Sequence, residues 1–339
     1  METIAIDFRA LQKLFWLTIA SFSLAMLFTP ILTDILYRYK LGKKIRQGST
    51  PVFSQLHKGK ENVPTMGGIL VWVPVLILSL LFNSTRNQTW LLMFTLLTTA
   101  ILGLADDLYN IFRIGPNGGG IRGRHKLIWQ LIIAIIGALW FYCKLEWGTK
   151  YGIHIPAVGD FTIGVWYIPL FVLAIVGMSN AVNITDGLDG LAGGLLALAY
   201  SAYGIIAFVN GSFGIAGFCA TVVGALLAFL WFNIYPARFI MGDTGALALG
   251  ATLGVIAMLT NTFIVLIIIS AVFIAETLSV IVQILYRKTH GGKKLFLSAP
   301  LHHHLEAIGW PEAKVTMRFW VIGGVCALVG IVVALLGRG

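Results

Sequence analysis

About ten stretches of this chain run for roughly twenty residues each with almost no charge, and that leaves few folds open. A helix that crosses a bilayer core of about 30 Å needs about 20 mostly apolar residues. Lipid offers no partner to a backbone N–H or C=O, so such segments satisfy themselves as α-helices. The stretches cover 14–37, 66–83, 89–106, 127–145, 164–182, 188–209, 213–233, 244–260, 262–286 and 318–337. Charged residues make up 11% of the 339, against about 25% in a soluble globule, so water does not face most of the surface. The chain reads as an all-α polytopic membrane protein of about ten transmembrane helices, with residues 1–339 as a single integral membrane domain. The first stretch is too long for the apolar core of a signal peptide and lacks a small-residue cleavage pattern, so it is expected to be retained as a span. Cys143, Cys219 and Cys326 fall in apolar runs without CxxC spacing, which argues against a disulfide or zinc framework.

The basic residues fix an expected topology. Residues 38–65 carry seven Lys and Arg, 106–126 four and 287–318 six, and with Arg238 these alternate loops hold eighteen of the 24. The positive-inside rule puts those loops in the cytoplasm and both termini outside. The net charge of +10 is therefore a matter of topology and of anionic partners such as lipid, and nucleic acid is not an expected partner. Asp106, Asp107, Asp186, Asp189 and Asp243 fall at the cytoplasmic ends of the predicted spans, with Asn180, Asn183 and His302–His304. Ionisable residues at membrane depth are functional by default, and here they gather on one face.

Four motifs carry the chemistry. In "ILGLADDLYNIF", 101–112, two adjacent carboxylates end an apolar run. Side by side they repel unless a cation neutralises them, and Mg²⁺ favours one or two carboxylates plus waters and phosphate oxygens. Lys126 follows Arg122 and Arg124 in the same loop, after the glycine-rich "GPNGGGIRGR". In "NAVNITDGLDG", 180–190, Asn180, Asn183, Asp186 and Asp189 recur every third residue, which predicts neighbours along one side of a helix. In "NIYPARFIMGDTGALALG", 233–250, Asp243 stands just before a new span, where a helix N-terminus can face an anion. In "PLHHHLEAIGW", 300–310, three contiguous histidines cannot all point one way on a helix, so a three-histidine zinc site is disfavoured. Imidazoles suit a diphosphate as donors or proton carriers. A fifth segment, "KGKENVPTMGG" at 58–68, suits a backbone bend at a span entrance. Asp34 and Glu276 match no motif and read as structural or snorkelling residues.

In this order along nearly the whole chain, PTMGG, ADD, NAVNITDGLDGLA, NIYPARFIMGDTGALALG and PLHHHLE resemble the phospho-N-acetylmuramoyl-pentapeptide transferases, within the polyprenyl-phosphate N-acetylhexosamine-1-phosphate transferase superfamily. The resemblance implies a Mg²⁺-dependent transfer of phospho-MurNAc-pentapeptide from UDP-MurNAc-pentapeptide to undecaprenyl phosphate, on the cytoplasmic face of the bacterial inner membrane, by a homodimer. It implies Asp106, Asp107, Asp243 and His302 as catalytic residues, with Asp243 and Asp107 toward the metal. Lys60, Thr65, Lys126, Asn180, Asn183, Asp186, Asp189, Asn233, His303 and His304 are implied to bind substrate. Asp106 is the expected base for direct attack by the lipid phosphate, and an aspartyl-phosphate intermediate is the alternative. Ile240, Ala246 and Asn110 depart from the family's usual Phe, Ser and basic residue. Two rival readings are a sibling enzyme that transfers GlcNAc-1-phosphate and an ion-coupled secondary transporter, which would show inverted repeats.

Overall fold

The computed structural model describes residues 7–42, 63–84, 87–115, 119–145 and 153–337. In chain order the helices are α1 (Phe8–Arg38), α2 (Ile69–Phe82), α3 (Asn87–Ile111), α4 (Gly123–Leu139), α5 (Tyr167–Thr185) and α6 (Leu191–Val209). They continue as α7 (Phe213–Asn233), α8 (Gly242–Leu259), α9 (Phe263–Ile269), α10 (Ala271–Thr289), α11 (Leu301–Ala307) and α12 (Glu312–Leu336). Among the described residues, eight helical segments are long and apolar enough to cross a membrane, so the protein is a multi-pass α-helical membrane protein.

Two of the predicted spans differ in form. The span expected at 262–286 is the pair α9 and α10, bent by 80° at Ser270. The sequence there contains neither Gly nor Pro, the usual causes of a kink, so the bend has no local signal. The span expected at 66–83 begins as helix only at Ile69 and has 14 residues, about 21 Å at 1.5 Å per residue. Residues 64–68 instead form a non-helical strap that turns at Met66, whose φ is 70°. Ile240 N–H donates to Pro64 C=O at 2.9 Å, Gly67 N–H to Ile240 C=O at 2.9 Å and Gly68 N–H to Met241 C=O at 2.8 Å. The strap therefore lies against the segment leading into α8.

α8 is the axis of the bundle. Every one of its residues is buried, and it packs chiefly between α3 and α5. Its sequence, GDTGALALGATLG, supplies the small residues that let helices approach at backbone distance. A Cβ on Gly250 would lie 2.5 Å from Met178 C=O, and one on Gly254 would lie 2.6 Å from Ala174 C=O. Hydroxyls within the helices are absorbed locally: Thr95, Thr99, Thr221 and Thr260 donate to the carbonyl four residues earlier.

The two ends of the bundle are unlike. At one, an antiparallel hairpin (β1, Ile153–Ile155; β2, Gly159–Phe161) that periodicity did not predict ties α4 to α5. His154 anchors it, with its N–H on Asn261 Oδ1 at 3.1 Å and its Nε2 3.0 Å from Gly337 C=O. At the other end lie the last turns of α3, α5 and α7 and the first turns of α4, α6, α8 and α12, where the polar motifs converge.

Candidate functional site

Asp106 and Asp107 occupy the last turns of α3, where the helix dipole disfavours negative charge. They are 2% and 1% exposed, so each needs a donor. Consecutive helical residues diverge by about 100°, and each finds a different partner. Asp106 Oδ1 accepts the Ile121 N–H at 2.6 Å, and its Oδ2 lies 3.5 Å from Lys126 Nζ. Asp107 Oδ2 accepts the Thr244 N–H at 3.0 Å, and Thr65 Oγ1 is 3.5 Å from its Oδ1. Lys126, one turn into α4, reaches across to bond Asp243 Oδ2 as well. One ammonium thus bridges carboxylates from α3 and α8. Asp243 stands in the first turn of α8, at the favourable end of its dipole, and its Oδ1 accepts Asn183 Nδ2 at 2.9 Å.

The backbone before Asp243 permits this convergence. Gly242 has φ of 75°, and a Cβ there would meet Thr65 Oγ1 at 2.6 Å and Asp107 Oδ2 at 2.7 Å. Strap, aspartate pair and α8 therefore meet around one glycine. A cleft of about 480 Å³ lined by Tyr109, Arg122 and His125 opens beside Ile121, the residue whose N–H holds Asp106.

The every-third pattern from Asn180 to Asp189 is only half helical. α5 stops at Thr185, and the chain turns through Asp186–Asp189 to Gly190, whose φ is 76°. Only Asn180 and Asn183 share a helix face, and the two Asp-Gly pairs break the helix before the others can join it. Asp186 Oδ2 accepts the Gly242 N–H at 3.2 Å, so the turn still braces the Asp243 backbone. Asp189 Oδ2 accepts the Ala237 N–H at 3.0 Å. Asn180 lies a turn deeper, donating to Gln130 Oε1 at 3.0 Å and to Val176 C=O at 2.8 Å. Asn233 accepts the Gly190 N–H at 3.1 Å and donates to Phe239 C=O at 2.9 Å, pinning the turn to the segment before α8.

The histidines diverge. His302 is fully buried, with Nδ1 3.0 Å from Glu276 Oε2. His303 Nδ1 is 2.8 Å from Glu306 Oε2, and its ring meets that of His302 edge-on at 4.1 Å. Burial lowers the His303 pKa, the nearby His302 adds to the shift, and Glu306 opposes it. His304 turns the other way, accepting the Leu297 N–H at 3.3 Å with the Phe296 ring 5.5 Å away, so it fastens the preceding loop. Lys60 lies outside the described residues.

Several partners carried no motif signal. Glu312 Oε1 accepts the Asp189 N–H at 2.6 Å, Thr316 Oγ1 donates to Asp189 C=O at 3.2 Å, and Trp320 Nε1 donates to Gly190 C=O at 3.2 Å. Their spacing of four puts them on one stripe of α12, and that stripe clamps the 186–190 turn. The stripe repeat was the available signal. Glu276 and Gln130, lone polar residues within apolar runs, were another.

The chain matches a family model described as Glycosyl transferase family 4 over residues 89–261. It is 41% identical over 318 residues to a phospho-N-acetylmuramoyl-pentapeptide-transferase of Geobacillus sp. (strain WCH70), covering 92% of this chain and 95% of that one. The protein of the same name from Chloroflexus aurantiacus (strain ATCC 29366 / DSM 635 / J-10-fl) is 44% identical over 309 residues, 88% of this chain and 83% of that one. That of Halalkalibacterium halodurans is 39% identical over 328 residues, 95% and 98% of the two chains.

Proposed function

This chain belongs to the phospho-N-acetylmuramoyl-pentapeptide-transferase family, and on that premise we propose that it transfers phospho-MurNAc-pentapeptide from UDP-MurNAc-pentapeptide to undecaprenyl phosphate, giving lipid I and UMP. The observation that carries this reading is the single ammonium of Lys126 held between Asp106 and Asp243, where two negatively charged phosphates have to meet.

An oxygen of the lipid phosphate attacks the sugar-bearing phosphorus of the UDP-sugar, the bond between the two phosphates of that substrate breaks, and UMP leaves with the electron pair. Little covalent work falls to the protein, so positioning and electrostatics dominate. Lys126 screens the approach of the two anions. Asp106, beside it, takes the proton from the lipid phosphate. Asn183 fixes Asp243 through its amide. His302, which borders the Asp186–Asp189 turn, is read as serving the reaction centre, and His303, Lys60 and Thr65 as binding substrate.

Mg²⁺ favours hard carboxylate oxygens, and those of Asp106 and Asp243 converge on the Lys126 ammonium while Asp107 Oδ2 accepts the Thr244 N–H beside Asp243, which supports a cation at this centre. Asp243 with Asp107 would hold the ion, and Asp106 borders the same position. When bound, Mg²⁺ neutralises charge on the phosphates and on the departing UMP.

The site occupies the end of the bundle that carries the basic loops at 106–126, 238 and 287–318, which supports a cytoplasmic active site in a bacterial plasma membrane. We read α2 and the bent α9–α10 pair as further spans among the described helices, in keeping with the expected ten spans and both termini outside.

The test is substrate choice. Purified protein in detergent with undecaprenyl phosphate and Mg²⁺ should release UMP from UDP-MurNAc-pentapeptide and at least about 100-fold more slowly from UDP-GlcNAc, well within the discrimination of about 10⁴–10⁵ that a site reaches when the wrong substrate leaves its polar groups unpaired. The reverse preference selects the sibling enzyme, and no UMP from either donor overturns the transferase reading.

A further inference from the structure

Glu276 and His302 are both 0% exposed, and they face each other between α10 and α11. A carboxylate inside an apolar helix is costly unless its oxygens are satisfied. Here the backbone N–H of His302 lies 3.1 Å from Glu276 Oε1 and 3.4 Å from Oε2, and His302 Nδ1 lies 3.0 Å from Oε2. Ring and backbone of one histidine are therefore gripped by one carboxylate. With Glu276 ionised both its oxygens accept, which places the proton of the shared bond on Nδ1 and makes Nε2 the ring's acceptor nitrogen. That nitrogen is seated on the turn after α5, because a Cβ on Gly187 would stand 2.3 Å from it. The next residue back, Asp186, accepts the Gly242 N–H beside Asp243.

We propose that Glu276 is a positioning residue for the transfer: it holds His302 as the Nδ1–H tautomer with Nε2 against the Asp186–Asp189 turn, and so fixes the turn that braces Asp243. The proposal rests on the transferase reading. The pair works as a carboxylate behind a metal-bound histidine does, setting tautomer and ring orientation from the far side of the ring.

Glu276→Gln keeps the shape and the acceptor for the backbone N–H but turns an amide donor toward Nδ1, which drives the ring proton to Nε2. In ¹⁵N spectra of histidine-labelled full-length protein in detergent, the ring signals absent from His302→Gln should report the Nδ1–H form in wild type and the Nε2–H form in Glu276→Gln. In the UMP assay, kcat should fall about tenfold while KM for UDP-MurNAc-pentapeptide stays within about twofold. Glu276→Gln/His302→Gln should be no slower than His302→Gln alone, because the two residues act as one unit. An active wild type with the Nε2–H tautomer, or with kcat of Glu276→Gln within twofold of its own, overturns the inference even if the variant folds poorly, since the first result needs no variant at position 276. A wild type that turns over no UDP-sugar fails the transferase reading instead, before any Glu276 variant is measured.

Discussion

Lys126→Met lowers kcat/KM for UMP release by about 10³-fold, the scale of losing one preorganised charge at a phosphoryl-transfer centre. Met keeps the length of the side chain and removes only the ammonium. That ammonium is shared by Asp106 and Asp243, from helices far apart in sequence. Without it the two carboxylates face each other across a largely dry space, and one takes up a proton to relieve the repulsion. A protonated Asp106 cannot accept the proton of the lipid phosphate, and a protonated Asp243 is a poor ligand for a divalent ion. Lys126→Arg should recover only part of the loss, because a planar guanidinium cannot replace a point charge between two oxygens from different directions. The comparison is steady-state UMP release at saturating Mg²⁺ on samples matched for thermal unfolding. A loss under tenfold for Lys126→Met would detach the ammonium from the chemistry.

Gly103→Ala should cut activity at least about 100-fold and destabilise the protein by about 1–3 kcal/mol. The added methyl would stand 2.2 Å from Asp243 C=O and 2.6 Å from Thr244 Cα. Both are backbone atoms at the head of α8, so no side-chain rotation relieves the clash and α3 has to separate from α8. The separation falls between the aspartate pair and Asp243, where displacements of about 1 Å cost about 10²-fold in rate. Gly123→Ala is the control, since a Cβ at Gly123 meets nothing within 4 Å. Thermal unfolding and UMP release of the two variants give the answer together. Full activity in Gly103→Ala would mean that this helix contact does not set the site.

The sequence made some features plain and hid others for physical reasons. Long apolar runs are unambiguous because lipid leaves the backbone a single solution, so most spans were legible from length alone. Asp106, Lys126, Asn183 and Asp243 were each visible as polar residues at span ends, and the fold brings them together. The limits appear where pairing is long-range. Periodicity carried α5 on to Asp189, but the two Asp-Gly pairs end it at Thr185. The strap at 64–68 looks like the start of a span until its partner, the segment at 240–241, is known. The bend at Ser270 has no residue to announce it. Glu276 matches no motif because its partner lies 26 residues on, in another helix. Asn180, Asn233 and His304 also bond protein groups, partners that their residue type alone does not announce. A polar residue in a membrane protein serves substrate or packing by where its neighbours stand, and local sequence does not record that.

Whether Asp106 and Asp243 serve one Mg²⁺-dependent centre is decided by UMP release from UDP-MurNAc-pentapeptide and undecaprenyl phosphate, with and without Mg²⁺, in wild type, Asp106→Asn and Asp243→Ala. Wild type should release UMP only with Mg²⁺, and both variants should lose at least about 10²-fold. Folded Asp106→Asn or Asp243→Ala protein within tenfold of wild type, or wild-type turnover indifferent to Mg²⁺, would contradict a shared centre.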